Sequence, residues 1–205
     1  MRYSHAMAMV GVMAAAAAAQ AFREATAKAD AAWVPYAAAR GMSYRPGRQG
    51  WAHTEMPRLD GVFHDVRVAV ELGQGASQYL TAALAVSEAP LAGHLEVTRE
   101  GSFAKVAKLF GAQDVVLGDE TFDRAFLVKS KPADVAPQLL SPAIRAEMLA
   151  LPTTWLAYDH GREHGQVALV IFSVADVVQS ADVLDRILRV ATMLARVRPA
   201  SVPYR

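Results

Sequence analysis

Two groups of residues combine the types and the spacing that chemistry requires. In the first, His160, Glu163 and His164 match the pattern H-x-x-E-H. In proteins with this inverted zincin pattern, two histidines on one face of a helix converge on a zinc ion. Here Gly161 and Gly165 flank a polar run between two strand-like segments, which favours a solvated hairpin loop instead of a helix. The third ligand is unidentified, so these three residues stay candidate ligands of a metal-dependent hydrolase.

The second group is the densest set of carboxylates in the chain: Asp114, Asp119, Glu120 and Asp123. Carboxylate oxygens at this spacing could hold a divalent cation. They could also cap a helix or a turn by accepting hydrogen bonds from backbone N–H groups. The order Gly118-Asp119, with Phe122 three residues after Asp119, favours a turn whose aspartate caps a short helix. Asp119 and Asp123 are therefore candidate metal ligands with a structural alternative.

The other motifs predict no catalytic residue, no cofactor-binding residue and no cofactor. Gly73 and Gly75 follow a predicted strand, but Gln78 stands where a dinucleotide-binding loop has its third glycine. Neither a phosphate-binding P-loop pattern nor a G-x-S-x-G nucleophile elbow occurs. The chain has no cysteine, which excludes a thiolate zinc site, a cysteine nucleophile and a disulfide scaffold.

The amino-acid composition limits which class of protein this chain can be. The chain has 205 residues, of which 53% are hydrophobic and 20% charged, and this excludes a disordered chain. Lysine plus arginine total 21 against 20 aspartate plus glutamate, a net charge of +1. A chain with this charge balance has no strong positive electrostatic potential that would attract a polyanion, so we predict no nucleic-acid partner.

The hydrophobic pattern predicts the order of helices and strands. Strands are predicted at residues 62–71, 79–87, 94–98, 125–129, 153–158 and 166–172, the first of them with a turn near His64 and Asp65. Helices are predicted at residues 21–40, 102–110, 132–140 and 142–151, and along the apolar stripe from Val177 to Ala195. This order predicts an α+β fold: a mainly antiparallel sheet covered on one face by helices, with an Ala-rich N-terminal helix.

Local signals predict where some of these helices begin and end. Pro35 is expected to kink or divide the first long helix, and Gly41 to end it. Residues 173–176, Ser-Val-Ala-Asp, form a capping-box pattern ahead of the last apolar run. With no internal repeat and no long linker, we expect an apolar segment at 1–22, a single domain at 23–198 and a tail at 199–205.

The apolar segment at the N-terminus has three interpretations. Residues 6–22 are almost entirely Ala, Met and Val. They could be a secretory signal with a small-x-small cleavage site at residues 19–21. They could be a membrane anchor, since about 20 apolar residues span the hydrocarbon core. They could also be an Ala-rich helix that continues into the domain, because Ala has the highest helix propensity.

A stretch in the middle of the chain resembles a known family. Residues 111–128, GAQDVVLGDETFDRAFLV, resemble the pattern G-x-Q-D-[IV]-x-x-G-D-x-x-F-D-x-x-F-x-V of a family of uncharacterised bacterial proteins. The resemblance covers residues 33–197, with Trp33 and Gly41 in matching places and a helix pair like 136–151 after the motif. It implies no activity that can be transferred.

The same resemblance bears on the N-terminus. Many relatives begin with a transmembrane helix just ahead of the matching tryptophan helix, which implies an anchor at residues 6–22. This chain departs from them because its segment is rich in Ala, where their anchors are richer in Leu and Val.

These observations lead to one main functional hypothesis and one alternative. The main hypothesis is a non-enzymatic binding or assembly domain with a protein partner, associated with a membrane through residues 6–22. The alternative is a metal-dependent hydrolase that uses His160, Glu163 and His164, or the group around Asp119. The residues leave open whether the chain is cytoplasmic, associated with the inner membrane or exported, and they do not specify an oligomeric state.

Overall fold

The computed structural model describes residues 2–50, 53–74, 78–88, 91–100, 113–152, 154–160 and 168–198; for residues 2–15, 113, 168 and 169 it describes the backbone alone. The helices in these ranges are α1 (Arg2–Arg40), α2 (Glu120–Ala125), α3 (Val135–Leu139), α4 (Pro142–Leu149) and α5 (Ala181–Ala195). The strands are β1 (Ser43–Arg45), β2 (Arg48–Gln49), β3 (Thr54–Glu55), β4 (Arg58–Phe63), β5 (Val66–Gln74), β6 (Tyr79–Ser87), β7 (His94–Arg99), β8 (Gln113–Asp114), β9 (Phe126–Lys131), β10 (Thr154–Asp159) and β11 (Ala168–Ala175). The predicted helix at 102–110 and the tail at 199–205 lie outside the described residues.

One large sheet organises the fold. Nine strands lie in the order β1-β4-β5-β6-β11-β10-β7-β9-β8, and every described pairing between them is antiparallel. The short strands β2 and β3 form a separate hairpin. Buried residues of the helices and of one sheet face join in a single hydrophobic core. The predicted α+β fold, an antiparallel sheet with helices on one face, is confirmed.

Alternation along the strands explains why one sheet face is buried. In β5, Val66, Val68, Val70 and Leu72 are all buried, because successive side chains of a strand point to opposite faces. The predicted turn between β4 and β5 is confirmed at residues 64–65, where both backbone φ angles are positive, +46° and +60°. Two successive positive φ angles are typical of a type I′ hairpin turn, which matches the twist of the strands.

Helix α1 buries one face from its middle to its end. Its buried residues recur at helical spacing: Phe22, Ala25, Ala29, Trp33, Tyr36 and Ala37. Gly41 ends the helix as predicted, with φ +64° and a hydrogen bond from Met42 N–H to the Ala37 carbonyl, the Schellman arrangement. Pro35 does not divide the helix. Pro35 has no backbone N–H, so the Ala31 carbonyl lacks its usual helical hydrogen bond. Both residues lie on the exposed side of α1, where water can hydrate that carbonyl.

Two predicted helix starts were wrong. Helix α5 begins at Ala181 with Ser180 as its cap, not at the predicted capping box of residues 173–176. Residues 173–175 instead continue β11, because their backbone groups pair with β6. Helix α3 begins at Val135, three residues after the predicted start at Pro132. Helix α4 does begin at Pro142, with Ser141 accepting a hydrogen bond from Ile144 N–H at 3.4 Å.

Candidate functional site

The acidic motif forms a turn followed by the short helix α2. Gly118 has φ +76°, which lets the chain reverse immediately before Asp119. The Asp119 side chain caps α2 by accepting a hydrogen bond from Phe122 N–H at 3.2 Å. The Asp123 carboxylate accepts from the N–H groups of Leu117 and Asp119, each at 3.0 Å. The structural alternative for Asp119, a helix cap, is therefore confirmed.

The apolar residue of the motif fixes α2 to the sheet. Phe122 is fully buried and stacks on Phe126, the first residue of β9, with ring centroids 4.6 Å apart. On the other side, the Arg145 guanidinium of α4 lies 3.5 Å from Asp119 Oδ2. The motif thus holds α2, β9 and α4 together, and Asp119 and Asp123 are the two of its carboxylates that take part.

The H-x-x-E-H pattern lies only partly in the described chain. His160 follows β10, and its backbone N–H donates to the Gly93 carbonyl at 3.1 Å. Glu163 and His164 lie outside the described residues, so the zinc hypothesis stays a prediction. Across the described ranges, no three His, Asp or Glu side chains form a group that could hold a metal ion.

The packed half of α1 is joined to α5 by polar side chains. Trp33 Nε1 donates to the Val178 carbonyl, just before α5, at 2.8 Å. Tyr36 Oη donates to Asp185 Oδ1 at 2.7 Å. Arg40 donates to both oxygens of Asp185, at 2.9 and 2.5 Å, and its guanidinium lies 4.0 Å above the Tyr36 ring. The first and last helices of the domain are therefore held together by a specific network.

The protonation states in this network favour the pairing. Burial, followed by the hydrogen bond to Asp185, raises the pKa of Tyr36 well above its usual range. The hydrogen bond to Asp185 likewise raises the pKa of Arg40. Tyr36 therefore stays a neutral donor, and Arg40 stays charged, throughout the physiological pH range.

Helix α1 separates from the domain near its middle. Phe22 is the first buried residue among the side chains that the structure describes, and residues 16–21 before it are exposed or half-buried. Of the helices whose side chains are described, none is long and apolar enough to cross a membrane.

The sheet face opposite the core, which we call the outer face, is crossed by a row of paired residues: Ala69, Leu84, Ile171, Ala157, Glu96 and Lys129. None of the described helices packs there, since their buried residues belong to the core on the other face. At the β4–β5 end of the outer face, Arg58 donates to both Asp60 and Glu71 at 2.8 Å.

The other end of the outer face carries a buried carboxylate. Glu96 is 5% exposed, and its Oε1 accepts a hydrogen bond from Trp155 Nε1 at 2.9 Å. Thr98, two residues along β7, is also 5% exposed. Glu96 Oε2 and Thr98 Oγ1 have no hydrogen-bond partner within the described ranges. Sequence reasoning missed both residues, because a Glu and a Thr in alternate positions of a strand are typical of a solvated face.

Comparison with known proteins gives a likeness of fold. The sequence matches no protein-family model and no curated protein. The structure is similar to the crystal structure of the mycobacterial trehalose monomycolate transport factor A, TtfA, with a TM-score of 0.55. The two are 13% identical, and the alignment covers 83% of this chain and 95% of that one. At this identity the likeness shows a shared fold.

Proposed function

We propose that this chain is a non-enzymatic factor of a transport assembly, which binds a protein partner while the N-terminal half of α1 associates with a membrane. The observation that carries the proposal is α1 itself. It is one helix from Arg2 to Arg40, and its described buried side chains begin only at Phe22. Half of the helix thus serves the domain and leaves the other half for a different role.

The composition of the N-terminal half supports a membrane role. Residues 6–19 are Ala, Met, Val and Gly without a charge. At a rise of about 1.5 Å per residue, the 20 residues ahead of Phe22 make a helix of about 30 Å, close to the thickness of the hydrocarbon core. The resemblance to bacterial proteins that begin with a membrane helix points the same way.

The likeness of fold supports the role as a binding factor. TtfA is named as a transport factor, and its fold covers most of this chain. We extend the role of transport factor, without its cargo, to the present domain. The hydrolase alternative has no comparable support, because Asp119 and Asp123 are committed to backbone N–H groups.

Fractionation of the native host tests the membrane part of the proposal. We expect the full chain in the membrane pellet, with Met1 intact by mass spectrometry. The double variant Val10→Lys, Val12→Lys is expected in the soluble fraction, because each lysine at the centre of a membrane helix costs about 2.5–3.5 kcal/mol. Val34→Lys is the matched control, since Val34 lies on the packed half of α1 and is 48% exposed.

Two results would contradict this proposal. One is a soluble wild-type chain, whether its start is intact or cleaved near residue 21. The other is a double-lysine variant that pellets as well as the Val34→Lys control does. Circular dichroism of each variant verifies that the domain is folded in every comparison.

A further inference from the structure

Residues 43–47 run back along α1 toward its N-terminal half. Tyr44 Oη donates a hydrogen bond to Asp30 Oδ1. Further along, a Cβ added at Gly47 would lie 3.1 Å from Thr26 Oγ1, so the backbone passes close to the helix there. Because the residue number rises in this segment while the contacted residue number falls in α1, the two run antiparallel. The chain therefore leaves Gly47 in the direction of the proposed membrane segment.

The separate hairpin of β2 and β3 continues the register of β1 and β4. Arg45 lies opposite Arg58 and Arg48 lies opposite Glu55, so the same number of steps forward and back separates the two pairs. Between these pairs two prolines, which have no N–H to donate, interrupt the ladder. Because the register is kept across the interruption, β2 and β3 extend the longer hairpin beyond Gly47, toward the N-terminal half of α1.

This extension carries Arg48 to the side of α1 on which Arg23 lies. Arg23, Thr26 and Asp30 form one row along α1, because residues three or four apart are neighbours on a helix surface. The last two of them contact residues 43–47, and Arg23 comes next in the row. Both arginines are exposed, and neither forms an ion pair with a carboxylate of the described chain. We call Arg23 and Arg48 the basic pair.

The acidic side chains near the basic pair have other partners or lie elsewhere. Asp60 is held between two other arginines. Glu55 approaches His53 Nε2 at 3.4 Å. Glu24 belongs to a different row of α1, and its carboxylate accepts a hydrogen bond from Gln20 Nε2 at 2.6 Å. The positive charges of the basic pair can therefore meet an anion from outside the chain.

The proposed membrane segment brings the basic pair to the level of the lipid headgroups. The hydrocarbon core is about 30 Å thick and the bilayer with its headgroups about 40–45 Å, so each headgroup layer is about 5–8 Å deep. With the hydrocarbon ending near Phe22, Arg23 lies at its edge and Thr26 lies about 6 Å further from it. Because the hairpin extends from Thr26 back toward the membrane, Arg48 falls within the headgroup layer.

We propose that the basic pair is a headgroup-binding surface, which holds the domain against a membrane that contains anionic phospholipids. The planar guanidinium fork of an arginine matches the oxygens of a phosphate. This inference rests on the proposed function, because the membrane segment of α1 brings this end of the domain to the lipid surface. That continuity with α1 favours a lipid headgroup over a protein partner.

The test follows backbone hydrogen exchange at residues 45–50 in the full chain, by mass spectrometry, after the chain is mixed with vesicles. One set of vesicles is phosphatidylcholine alone, and the other is an equal mixture of phosphatidylcholine and phosphatidylglycerol. We expect slower exchange with the anionic vesicles, and no difference at about 1 M salt, where the Debye length is about 3 Å. The protection should fall about fivefold in Arg48→Gln and in Arg23→Gln.

Two further variants serve as controls. Arg67 is 78% exposed and follows the β4–β5 turn, at the end of β4 away from the basic pair. Arg67→Gln removes the same charge there and should keep the full protection. Arg48→Lys keeps the charge and should retain most of the protection, which separates the role of the charge from a structural role of the side chain. Circular dichroism verifies that each variant is folded.

Three results would overturn the inference. They are equal exchange with the two kinds of vesicle, unchanged protection in the double variant Arg23→Gln, Arg48→Gln, and the same protection by inorganic phosphate without vesicles, which would reassign the basic pair to a soluble anion. Failure of the proposed function looks different. A chain that associates with neither kind of vesicle contradicts the membrane role of α1, whereas a chain that associates with both and exchanges equally contradicts the basic pair alone.

Discussion

Arg40 and Asp185 join the first and last helices of the domain through two hydrogen bonds, one to each carboxylate oxygen. The two residues are 145 positions apart in the chain, and their side chains are 29% and 24% exposed. Tyr36 adds a third hydrogen bond to the same carboxylate. The helix that carries the proposed membrane segment is thus fixed to the domain at its far end, by one residue of α5.

Loss of Asp185 should loosen this attachment. Asp185→Ala removes the acceptor of all three hydrogen bonds, and we expect it to lower the free energy of unfolding by about 2 kcal/mol, with partial exposure limiting the loss. Urea unfolding measures the change. Glu88→Ala, which removes an exposed and loosely paired carboxylate, should change stability by less than about 0.5 kcal/mol. Equal effects of the two substitutions would contradict a specific role for Asp185.

The acidic motif should contribute to stability without metal. Asp123→Ala leaves two backbone N–H groups without their acceptor, and we expect a loss of about 1–2 kcal/mol. Asp119→Ala removes a helix cap worth about 1 kcal/mol, whereas Asp119→Asn should retain most of it. Thermal unfolding with a chelator should match unfolding with added zinc or magnesium. Stabilisation by either metal that is lost in Asp119→Asn would instead support a metal site there.

Acid should weaken the β1–β4–β5 end of the sheet through Asp60. Burial acts to raise the pKa of Asp60, but hydrogen bonds from Arg45 and Arg58 outweigh it and hold the pKa below its usual value. A lowered pKa contributes stability above the unfolded value of about 4, and that contribution is lost as the pH falls through the folded value. Asp60→Asn should therefore show a shallower loss of stability below about pH 4 than the wild type. Asp65→Asn, at a side chain that is 98% exposed, is the matched control for denaturant unfolding across this range.

Alkali should act on the core through Tyr158. Its hydroxyl donates a hydrogen bond to the Leu91 carbonyl at 3.0 Å, and burial raises its pKa to about 12 from an ordinary 10.0. A raised pKa contributes stability that is complete below the unfolded value and is lost as the pH rises through the folded one, here from about 10 to about 12. Tyr158→Phe should cost about 1 kcal/mol at neutral pH and make the alkaline loss of stability less steep. A variant with the same alkaline slope as the wild type would contradict this account.

The spacing of apolar residues correctly predicted the strands and helices that bury one face against the core. The valines of β5 occupy alternate positions and are all buried, and most of the last apolar stripe is buried in α5, at Leu184, Leu188, Ala191 and Ala195. Both patterns follow from the local backbone repeat, which is two residues in a strand and about 3.6 residues in a helix. The cap by Asp119 was also predictable, because a capping residue and its N–H donor lie three residues apart.

The features that could not be predicted depend on contacts with residues that are distant in the sequence. Ser173 has the local signature of a helix cap, yet pairing with β6 keeps it in a strand. Glu96 reads as an exposed strand residue, and its burial depends on neighbours such as Trp155, 59 positions away. The link between Tyr36 and Asp185 spans 149 positions and leaves no local pattern.

The unbroken course of α1 has a rotational consequence. Each residue of an α-helix advances the chain by about 1.5 Å and turns it by about 100°. The second half of α1 is hydrogen-bonded to the domain through Trp33, Tyr36 and Arg40. Because the helix is continuous, these bonds also set the rotation of its first half about the helix axis and its distance along that axis from the domain. One residue inserted near Ala21 would swing the domain around the helix axis by more than a quarter turn while moving it outward by the height of one residue. The rotation of the domain about the axis of α1, more than the length of α1, therefore decides which side of the domain a partner at the membrane would meet.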